Sequence, residues 1–300
     1  MLHTIRSDEL TVELTDPGCP PNDNFRFDRT SYISEVILRD GTRFGASEPR
    51  NLSHPSSRGR GFCSCIRWDI SDQVAVGDYY PLLGIGLVKK PDEGKYVMFR
   101  RYEEGFVPFE IKSEYGEDTA AFEVLPMPCQ GYAFLEKRTI RVIGNRVENR
   151  VILQNVGEKP AALLEYCHNF LSIEGMAVGP DYSIEFPLVP DLSGLPFEDA
   201  ERGGETNFEG FGSGFRMKRY EPASSSVALD GVDYHVDGPF RWRVVNTAAD
   251  AWVAGVDDIR LSRVKIWSCD HMVCPEIYQR FTIRPGETVE WSRDLEFGRL

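Results

Sequence analysis

The stretch EYCHNFLSI, residues 165–173, combines the pattern of a buried strand with two adjacent polar residues. Its aliphatic and aromatic residues are typical of a buried β-strand, yet His168 and Asn169 lie side by side near its end. In a strand, alternate side chains point to opposite faces, so His168 shares one face with Tyr166 and Phe170. His168 is therefore either a core histidine bonded to a backbone carbonyl or a general acid or base in an aromatic-walled pocket.

On both sides of this stretch, the sequence consists of short runs with the character of β-strands, separated by turn residues. Few segments have apolar residues at helical spacing. Gly144–Asn145 has the chemistry of a tight hairpin turn between two of these runs. We therefore predict an antiparallel all-β protein with one domain over residues 1–300. The predicted strands are 10–14, 32–38, 138–143, 146–155, 161–173, 240–246, 263–267 and 287–297.

One long segment, residues 187–222, interrupts the β pattern. It is rich in Gly, Pro and charged residues and has weak periodicity. We expect a surface excursion with a short helix near 196–202, since loops of this length are often functional or mobile.

The composition limits the function and the location. The chain has 47 acidic and 34 basic residues and a net charge of −13, which argues against nucleic acid or an anionic membrane as the main partner. The N-terminal stretch MLHTIRSDELTVELTD has no apolar core of the length that a signal peptide needs, and no run approaches the length of a membrane span. Seven cysteines, an odd number, do not suggest a disulfide framework, so we expect a reducing cytoplasm.

A second polar cluster lies in KIWSCDHMVCPEIYQRF, residues 265–281. It places His271 and Glu276 close to Trp267. Because Pro275 cannot donate a hydrogen bond to a sheet ladder, we expect the strand to end or reach an edge there. Glu276 would then lie at the mouth of a strand, where a catalytic carboxylate is well placed; the alternative is a solvated glutamate in a loop.

Metal and cofactor motifs are weak. Cys269, His271 and Cys274 have a C-x-H-x-x-C spacing, but a structural zinc site needs a fourth ligand from a second short pair, and Cys63-Ser64-Cys65 is an unusual one. Phosphate-binding and dinucleotide-binding glycine motifs are missing. We therefore expect no metal and no cofactor.

Two basic segments are further candidates for a binding site. Residues 89–103 concentrate positive charge in an acidic protein, which is typical of a solvated hairpin; Arg101 or Lys89, if it points inward, would suit a sugar hydroxyl, a carboxylate or a phosphate. The loop 55–62 is basic, and we expect its neighbour His54 to reach a pocket.

Three segments together resemble the galactose mutarotase-like (aldose 1-epimerase) superfamily. YCHNFLSI (166–173) is similar to its histidine-bearing strand, and MVCPE (272–276) followed by IRPGETVEW (283–291) is similar to its C-terminal pattern. NFRFDRTSYISEVIL (24–38) resembles the early hairpin before the pocket strands. The earlier Asn-Arg pair and second pocket histidine of classical members have no convincing match, so the resemblance is to an outlying branch.

The resemblance implies a β-supersandwich, two large twisted antiparallel sheets packed face to face, with a small-molecule carbohydrate as the partner. It also implies acid–base ring opening of a sugar without a cofactor, with Glu276 as the base and His168 as the acid. The substrate-binding residues that we predict beside this pair are Asn169, Tyr166, Arg101, His54, Trp267 and His271.

Two other functions fit the same residues. One is a carbohydrate-binding protein without catalysis, and the other is a lyase-like enzyme in which Tyr166 and His168 transfer the protons. The sequence leaves the sugar and the oligomeric state open.

Overall fold

The structure, a computed structural model, describes residues 2–19, 23–48, 59–187, 190–230 and 237–300. Within these ranges the secondary structure is almost entirely β, with one 3₁₀ turn at Ser71–Gln73. The strands are β1 (Leu2–Arg6), β2 (Leu10–Thr15), β3 (Ile33–Leu38), β4 (Phe62–Arg67), β5 (Tyr79–Leu82), β6 (Gly86–Lys89), β7 (Val107–Pro108), β8 (Ile111–Tyr115), β9 (Thr119–Val124), β10 (Phe134–Ile143), β11 (Arg146–Asn155), β12 (Ala161–Asn169), β13 (Tyr182–Glu185), β14 (Phe208–Phe211), β15 (Gly214–Met217), β16 (Ser224–Ala228), β17 (Phe240–Asn246), β18 (Ala251–Asp258), β19 (Leu261–Cys269), β20 (Met272–Ile283) and β21 (Thr288–Arg299).

The strands form two large antiparallel sheets and one small one. The eight-stranded sheet has the order β1-β2-β3-β4-β12-β20-β19-β16, and the ten-stranded sheet has the order β14-β15-β13-β17-β18-β21-β11-β10-β9-β8. Strands β5, β6 and β7 form the small sheet. This arrangement confirms the predicted all-β class and the sandwich of two large antiparallel sheets.

The two large sheets pack face to face over one extensive apolar layer. Val12 and Val36 of the first sheet belong to the same buried cluster as Val142, Val147 and Leu295 of the second. The alternation of buried and exposed residues along β10 shows why: every second side chain enters this layer and the others face away. Burial of apolar surface at roughly 25 cal/mol per Å² is the main force that holds such sheets together.

Charged groups are also buried between the sheets. Arg293 on β21 reaches Glu165 on β12 through Nε (3.0 Å) and Nη2 (2.6 Å), and its Nη1 lies 2.9 Å from Asp257. Arg138 on β10 forms ion pairs with Asp28 and Glu136. Of these pairs, Arg293–Glu165 connects the two large sheets, and Arg138–Asp28 connects the loop between β2 and β3 to the ten-stranded sheet.

The predicted strands are all present. The runs at 146–155 and 240–246 match β11 and β17 residue for residue, and the others differ by a few residues at their ends. Gly144 has a φ of 55° in the two-residue turn between β10 and β11, where Ile143 pairs with Arg146. The left-handed backbone of this turn is the reason for a glycine there.

The prediction for residues 187–222 is wrong in two respects. The segment contains the hairpin β14–β15, which continues the ten-stranded sheet beyond β13, because Phe208, Phe215 and Met217 bury their side chains. Residues 196–202 form turns and an isolated bridge in place of the expected short helix.

The prediction that a strand ends or reaches an edge at Pro275 is also wrong. Strand β20 runs through Pro275 and lies between β12 and β19. The pairing of β12 with β20 stops at His168–Glu276, and the side-chain Nδ2 of Asn169 donates to the Pro275 carbonyl at 2.8 Å. In an antiparallel sheet the N–H and C=O of one residue point toward the same neighbouring strand. The Pro275 carbonyl faces β12, so its missing N–H would face β12 too, at a point where the pairing has already stopped and no N–H is needed.

Candidate active site

The register of three neighbouring strands assembles the site on the outer face of the eight-stranded sheet. His168 on β12 pairs directly with Glu276 on β20, and Glu276 pairs in turn with Lys265 on β19. Two residues along the strands, Tyr166 pairs with Tyr278. Because directly opposed residues place their side chains on one face within about 5.5 Å, this register alone brings the imidazole next to the carboxylate.

His168 is held in an aromatic environment. Its ring stacks on Phe170 with the centroids 4.0 Å apart, and Phe27 and Trp267 meet it edge-on at 5.9 and 6.2 Å. His168 Nε2 lies 3.0 Å from Glu276 Oε1, whereas the buried Nδ1 has no hydrogen-bond partner. The contacts fix the orientation of the ring and direct Nε2 at the carboxylate.

Glu276 is a buried carboxylate with two donors. Oε1 faces His168, and Oε2 accepts a short hydrogen bond from the Tyr278 hydroxyl. Burial by itself would raise the pKa of Glu276, but the charge and hydrogen bond of His168, the charge of Lys265 and the Tyr278 hydroxyl outweigh it and lower that pKa to about 2. Glu276 is therefore ionised at neutral pH and can accept a proton.

For His168 the balance favours the uncharged ring. Burial lowers the pKa of His168 below its ordinary value of 6.5, and the attraction of Glu276 does not compensate for it. The unpartnered Nδ1 explains this direction, because protonation there would leave an N–H without an acceptor inside the aromatic wall. At neutral pH the resting pair is thus a carboxylate and a neutral imidazole with its proton on Nε2.

The pair lies at the base of a cavity of about 890 Å³, which is in the size range of small-molecule sites. Trp267, Phe99 and Met98 supply its apolar wall.

Arg67 and Arg280 also line the cavity, and neither has a carboxylate partner within the described ranges. The other three cations of the lining are each paired with a carboxylate: Arg26 with Glu48 (2.8 Å), Arg263 with Asp230 (2.8 Å) and Lys265 with Glu201 (2.5 Å).

The structure brings three of the predicted site residues together and places the others elsewhere. His168, Glu276 and Trp267 line the cavity. Tyr166 lies directly beneath it, completely buried, with its hydroxyl 3.0 Å from Arg67 Nη2. Asn169 points away from the cavity toward the Pro275 carbonyl.

The remaining predicted residues are outside the cavity lining. Arg101 is partly exposed and forms an ion pair with Glu103. His271 lies in the turn between β19 and β20, where Nδ1 contacts Asp270 and Nε2 lies 3.1 Å from the Ser47 carbonyl. His54 lies outside the described residues.

The cysteines do not assemble the C-x-H-x-x-C set. Cys269, Asp270 and His271 each present one ligand atom within 4.8 Å of one another, whereas Cys274 does not join this group. Burial raises the pKa of the Cys269 thiol to about 12, so it is protonated at neutral pH. All seven cysteines are free thiols.

Sequence reasoning missed most of the charged residues of the lining. Lys265, Arg263 and Arg280 follow from alternation once His168 is known to oppose Glu276, but that register is not visible in the sequence. Arg26 and Glu48 come from segments outside the strands and carry no sequence signal of their own.

Comparisons with known proteins agree with this architecture. No protein-family model and no curated protein matches the chain. Among solved structures, a galactose mutarotase related enzyme from Lactobacillus acidophilus is similar over 99% of this chain and 97% of its own, with a TM-score of 0.59 and 14% identity. A galactose mutarotase-like protein from Clostridium acetobutylicum (TM-score 0.59, 13% identity, 99% and 95% covered) and an aldose epimerase homologue from C. elegans (TM-score 0.56, 12% identity, 100% and 99% covered) are similar too.

The described part of the chain contains no long apolar helix of the kind that crosses a membrane.

At 12–14% identity, the structural likenesses establish the architecture. They confirm the resemblance predicted from the three sequence segments: the chain has the galactose mutarotase-like fold.

Proposed function

We propose that this protein acts on a carbohydrate as an aldose 1-epimerase does, interconverting the anomers of a free sugar or sugar derivative. The observation that carries the proposal is the direct approach of His168 Nε2 to Glu276 Oε1, 3.0 Å, at the base of a polar cavity with aromatic walls. An acid and a base that reach the same ring at hydrogen-bond distance are what ring opening requires.

In the proposed reaction the sugar lies over the pair and replaces its internal hydrogen bond. Glu276 takes the proton of the anomeric hydroxyl while the protonated form of His168 gives its Nε2 proton to the ring oxygen. The bond between the anomeric carbon and the ring oxygen breaks, and the carbonyl of the open chain forms. Rotation about the C1–C2 bond and return of both protons close the ring as the other anomer, so both side chains are regenerated.

Tyr278 and Lys265 assist Glu276 in this proposal. The Tyr278 hydroxyl and the Lys265 charge both stabilise the carboxylate and thereby keep it available as a base. Trp267 supplies a flat wall for the apolar face of a sugar ring.

A carbohydrate-binding protein without turnover is the second candidate. It is favoured by one observation: His168 and Glu276 already satisfy each other, and each side chain is only 4–5% exposed. The lyase alternative has less support, because Tyr166 has no exposed surface and burial raises its pKa well above the ordinary 10.

We also propose a reducing cytoplasm as the location of the protein. Its seven free thiols support this location, because an oxidising compartment would expose the partly accessible Cys19 and Cys129 to disulfide exchange.

The proposal is tested by one-dimensional proton NMR of anomer interconversion. Freshly dissolved α-anomers of hexoses, pentoses, uronic acids and sugar phosphates are followed with the wild-type protein, with Glu276→Gln and with Glu290→Gln, an exposed control on β21. We expect acceleration for at least one sugar, its loss in Glu276→Gln and its retention in Glu290→Gln. Binding of a sugar without acceleration of any anomer exchange would move the assignment to the binding protein.

A further inference from the structure

The outer face of the eight-stranded sheet continues beyond the proposed catalytic pair. Tyr166 and Tyr278 lie two residues along the strands from His168 and Glu276. Leu164 lies two residues further, and its neighbours are Arg67 on β4 and Arg280 on β20. At about 3.4 Å per residue, the arginines begin roughly 13 Å along the strands from the pair.

Arg67 leans from this position back toward the pair. Its Cζ lies 5.2 Å from the centre of the Tyr166 ring, and its Nη2 lies 3.0 Å from the Tyr166 hydroxyl. The guanidinium group is therefore held by an aromatic ring and a neutral oxygen, and several of its N–H donors remain for a ligand.

Arg280 is exposed on the same face, and within the described ranges its side chain forms no hydrogen bond or ion pair. The paired cations of the cavity, Arg26, Arg263 and Lys265, contrast with it, because each is neutralised by a carboxylate. In a chain with a net charge of −13, two arginines without an acidic partner on one concave surface form a local positive site.

A second hollow of about 810 Å³ begins at these arginines. It shares Arg67, Met98, Leu164 and Arg280 with the first cavity and continues past Trp68, Asp69, Tyr96, Ala162 and Thr282, so Asp69 adds a carboxylate to its lining. The Trp68 ring packs against Tyr132 with the ring centroids 4.5 Å apart, and the Tyr96 hydroxyl donates to the Phe25 carbonyl at 2.5 Å. Each hollow alone has the roughly 300–1,000 Å³ of a small-molecule site, so one sugar unit does not fill both.

We propose that the ligand is an acidic carbohydrate of at least two units, whose carboxylate or phosphate lies between Arg67 and Arg280 and whose second unit lies in the Trp68–Tyr96 hollow. The inference rests on the proposed function, because it places the first sugar unit over His168 and Glu276. Arginine recognises carboxylate and phosphate oxygens with the same fork of donors, so the site chemistry is common to both groups.

Isothermal titration of the wild-type protein tests the anionic group. The probes are galactose, galacturonate and galactose 6-phosphate, with Arg280→Gln as the variant and Arg241→Gln, an exposed arginine on β17, as the matched control. We expect at least one acidic sugar to bind about 10–100-fold more tightly than galactose, as charge-assisted hydrogen bonds provide. The preference should be lost in Arg280→Gln and kept in Arg241→Gln.

Galacturonate and the 6-phosphate distinguish the two sources of the charge, and a preference for either supports the site. Equal affinities for charged and neutral sugars in the wild-type protein would overturn it. Equal behaviour of the two arginine variants would overturn it as well.

The second unit is tested with digalacturonate and with Ala162→Phe, which places an aromatic ring in the second hollow at an exposed position. We expect digalacturonate to bind at least about tenfold more tightly than galacturonate, and Ala162→Phe to remove that gain without changing the affinity for the single unit. A disaccharide that binds no better than its monomer contradicts the two-unit ligand.

These titrations do not depend on turnover, so they separate the two proposals. Tight acidic binding without anomer exchange would refute the epimerase function and leave a ligand site. Anomer exchange of neutral sugars together with equal affinities for neutral and acidic ones would refute the inference alone.

Discussion

Strands β12 and β20 carry ionisable side chains on both faces, and the two faces treat them differently. On the inner face, Glu165 accepts hydrogen bonds from Arg293 at 2.6 and 3.0 Å and from Gln279 at 2.8 Å. On the outer face, His168 and Glu276 rely mainly on each other, and His168 Nδ1 has no partner. Glu165 on the inner face is compensated by a network, whereas the pair on the outer face lies beside a cavity.

Low exposure alone does not identify a structural residue. Glu165 is 1% exposed and Glu276 is 4% exposed, so accessibility barely separates them. What separates them is the empty volume beside Glu276, together with the unpartnered Nδ1 of the imidazole that contacts it. Incomplete compensation next to a cavity is a mark of sites that bind or transform ligands.

The largest effect is expected when the inner network is broken. Arg293→Met leaves Glu165 and Asp257 buried without a counter-ion, so the free energy of unfolding should fall by about 3–5 kcal/mol. Urea denaturation followed by tryptophan fluorescence measures it. The control is Arg150→Met, whose ion pair with Glu290 is exposed and screened by solvent, so its loss should leave the free energy of unfolding nearly unchanged. Equal losses for both variants would contradict the structural role of the network.

Exchanging a carboxylate for an amide on each face tests whether the outer face determines the rate and the inner face the stability. Glu276→Gln keeps hydrogen-bonding capacity and should lower the anomer exchange rate about 10²–10⁴-fold while the protein stays folded. In Glu165→Gln, Arg293 loses a charged partner, so the free energy of unfolding should fall by about 1–3 kcal/mol. The anomer exchange rate per folded molecule should stay unchanged. NMR rates and urea midpoints measured on both variants decide whether the faces have separate roles.

The pH dependence of the rate tests the protonation states of the outer pair. His168 must be protonated to act as the acid, so kcat/KM should fall about tenfold per pH unit above the His168 pKa, which burial places below 6.5. Glu276 must be ionised, and its pKa of about 2 puts the acid limb at the other end of the profile. A profile that is flat from pH 5 to 8 would exclude His168 as the acid.

The smallest effect is expected from Tyr278→Phe. Removing one hydroxyl donor from Glu276 weakens the stabilisation of the carboxylate, so the pKa of Glu276 should move up toward its ordinary 4.5. The acid limb of the kcat/KM profile should shift to higher pH while the limb of His168 stays in place. Tyr166→Phe, which changes the stacked neighbour, is the matched control and should leave the acid limb unmoved.

Much of the fold could be predicted from the sequence because alternation and turn chemistry are local signals. Gly144–Asn145 marked its hairpin, and β11 and β17 were predicted residue for residue. The hairpin β14–β15 was missed because its glycines and charges hide two short strands whose support comes from packing against β13. At Pro275 the expected strand end was wrong because the pairing of β12 with β20 stops at His168–Glu276, so the missing N–H faces a gap in the ladder that the sequence does not reveal.

The site was predictable only where residues carry unusual chemistry. His168 and Glu276 stood out as polar residues in apolar strands, and their contact needs a register that three distant strands decide together. Arg101 was preferred as the basic residue, yet Arg67 and Arg280 are the arginines that line the cavity. Choosing between them requires the face on which each side chain emerges, which depends on tertiary pairing.

The pairing of β4, β12 and β20 has a consequence for how the protein acquires activity. His168 meets Cys63 on one side and Glu276 on the other, and each partner is more than one hundred residues away along the chain. Contacts of such long sequence separation form late and slowly, because loop closure must precede them. During refolding, anomer exchange should therefore return only with the last, slowest phase, and no fragment that lacks any of these three strands should recover it.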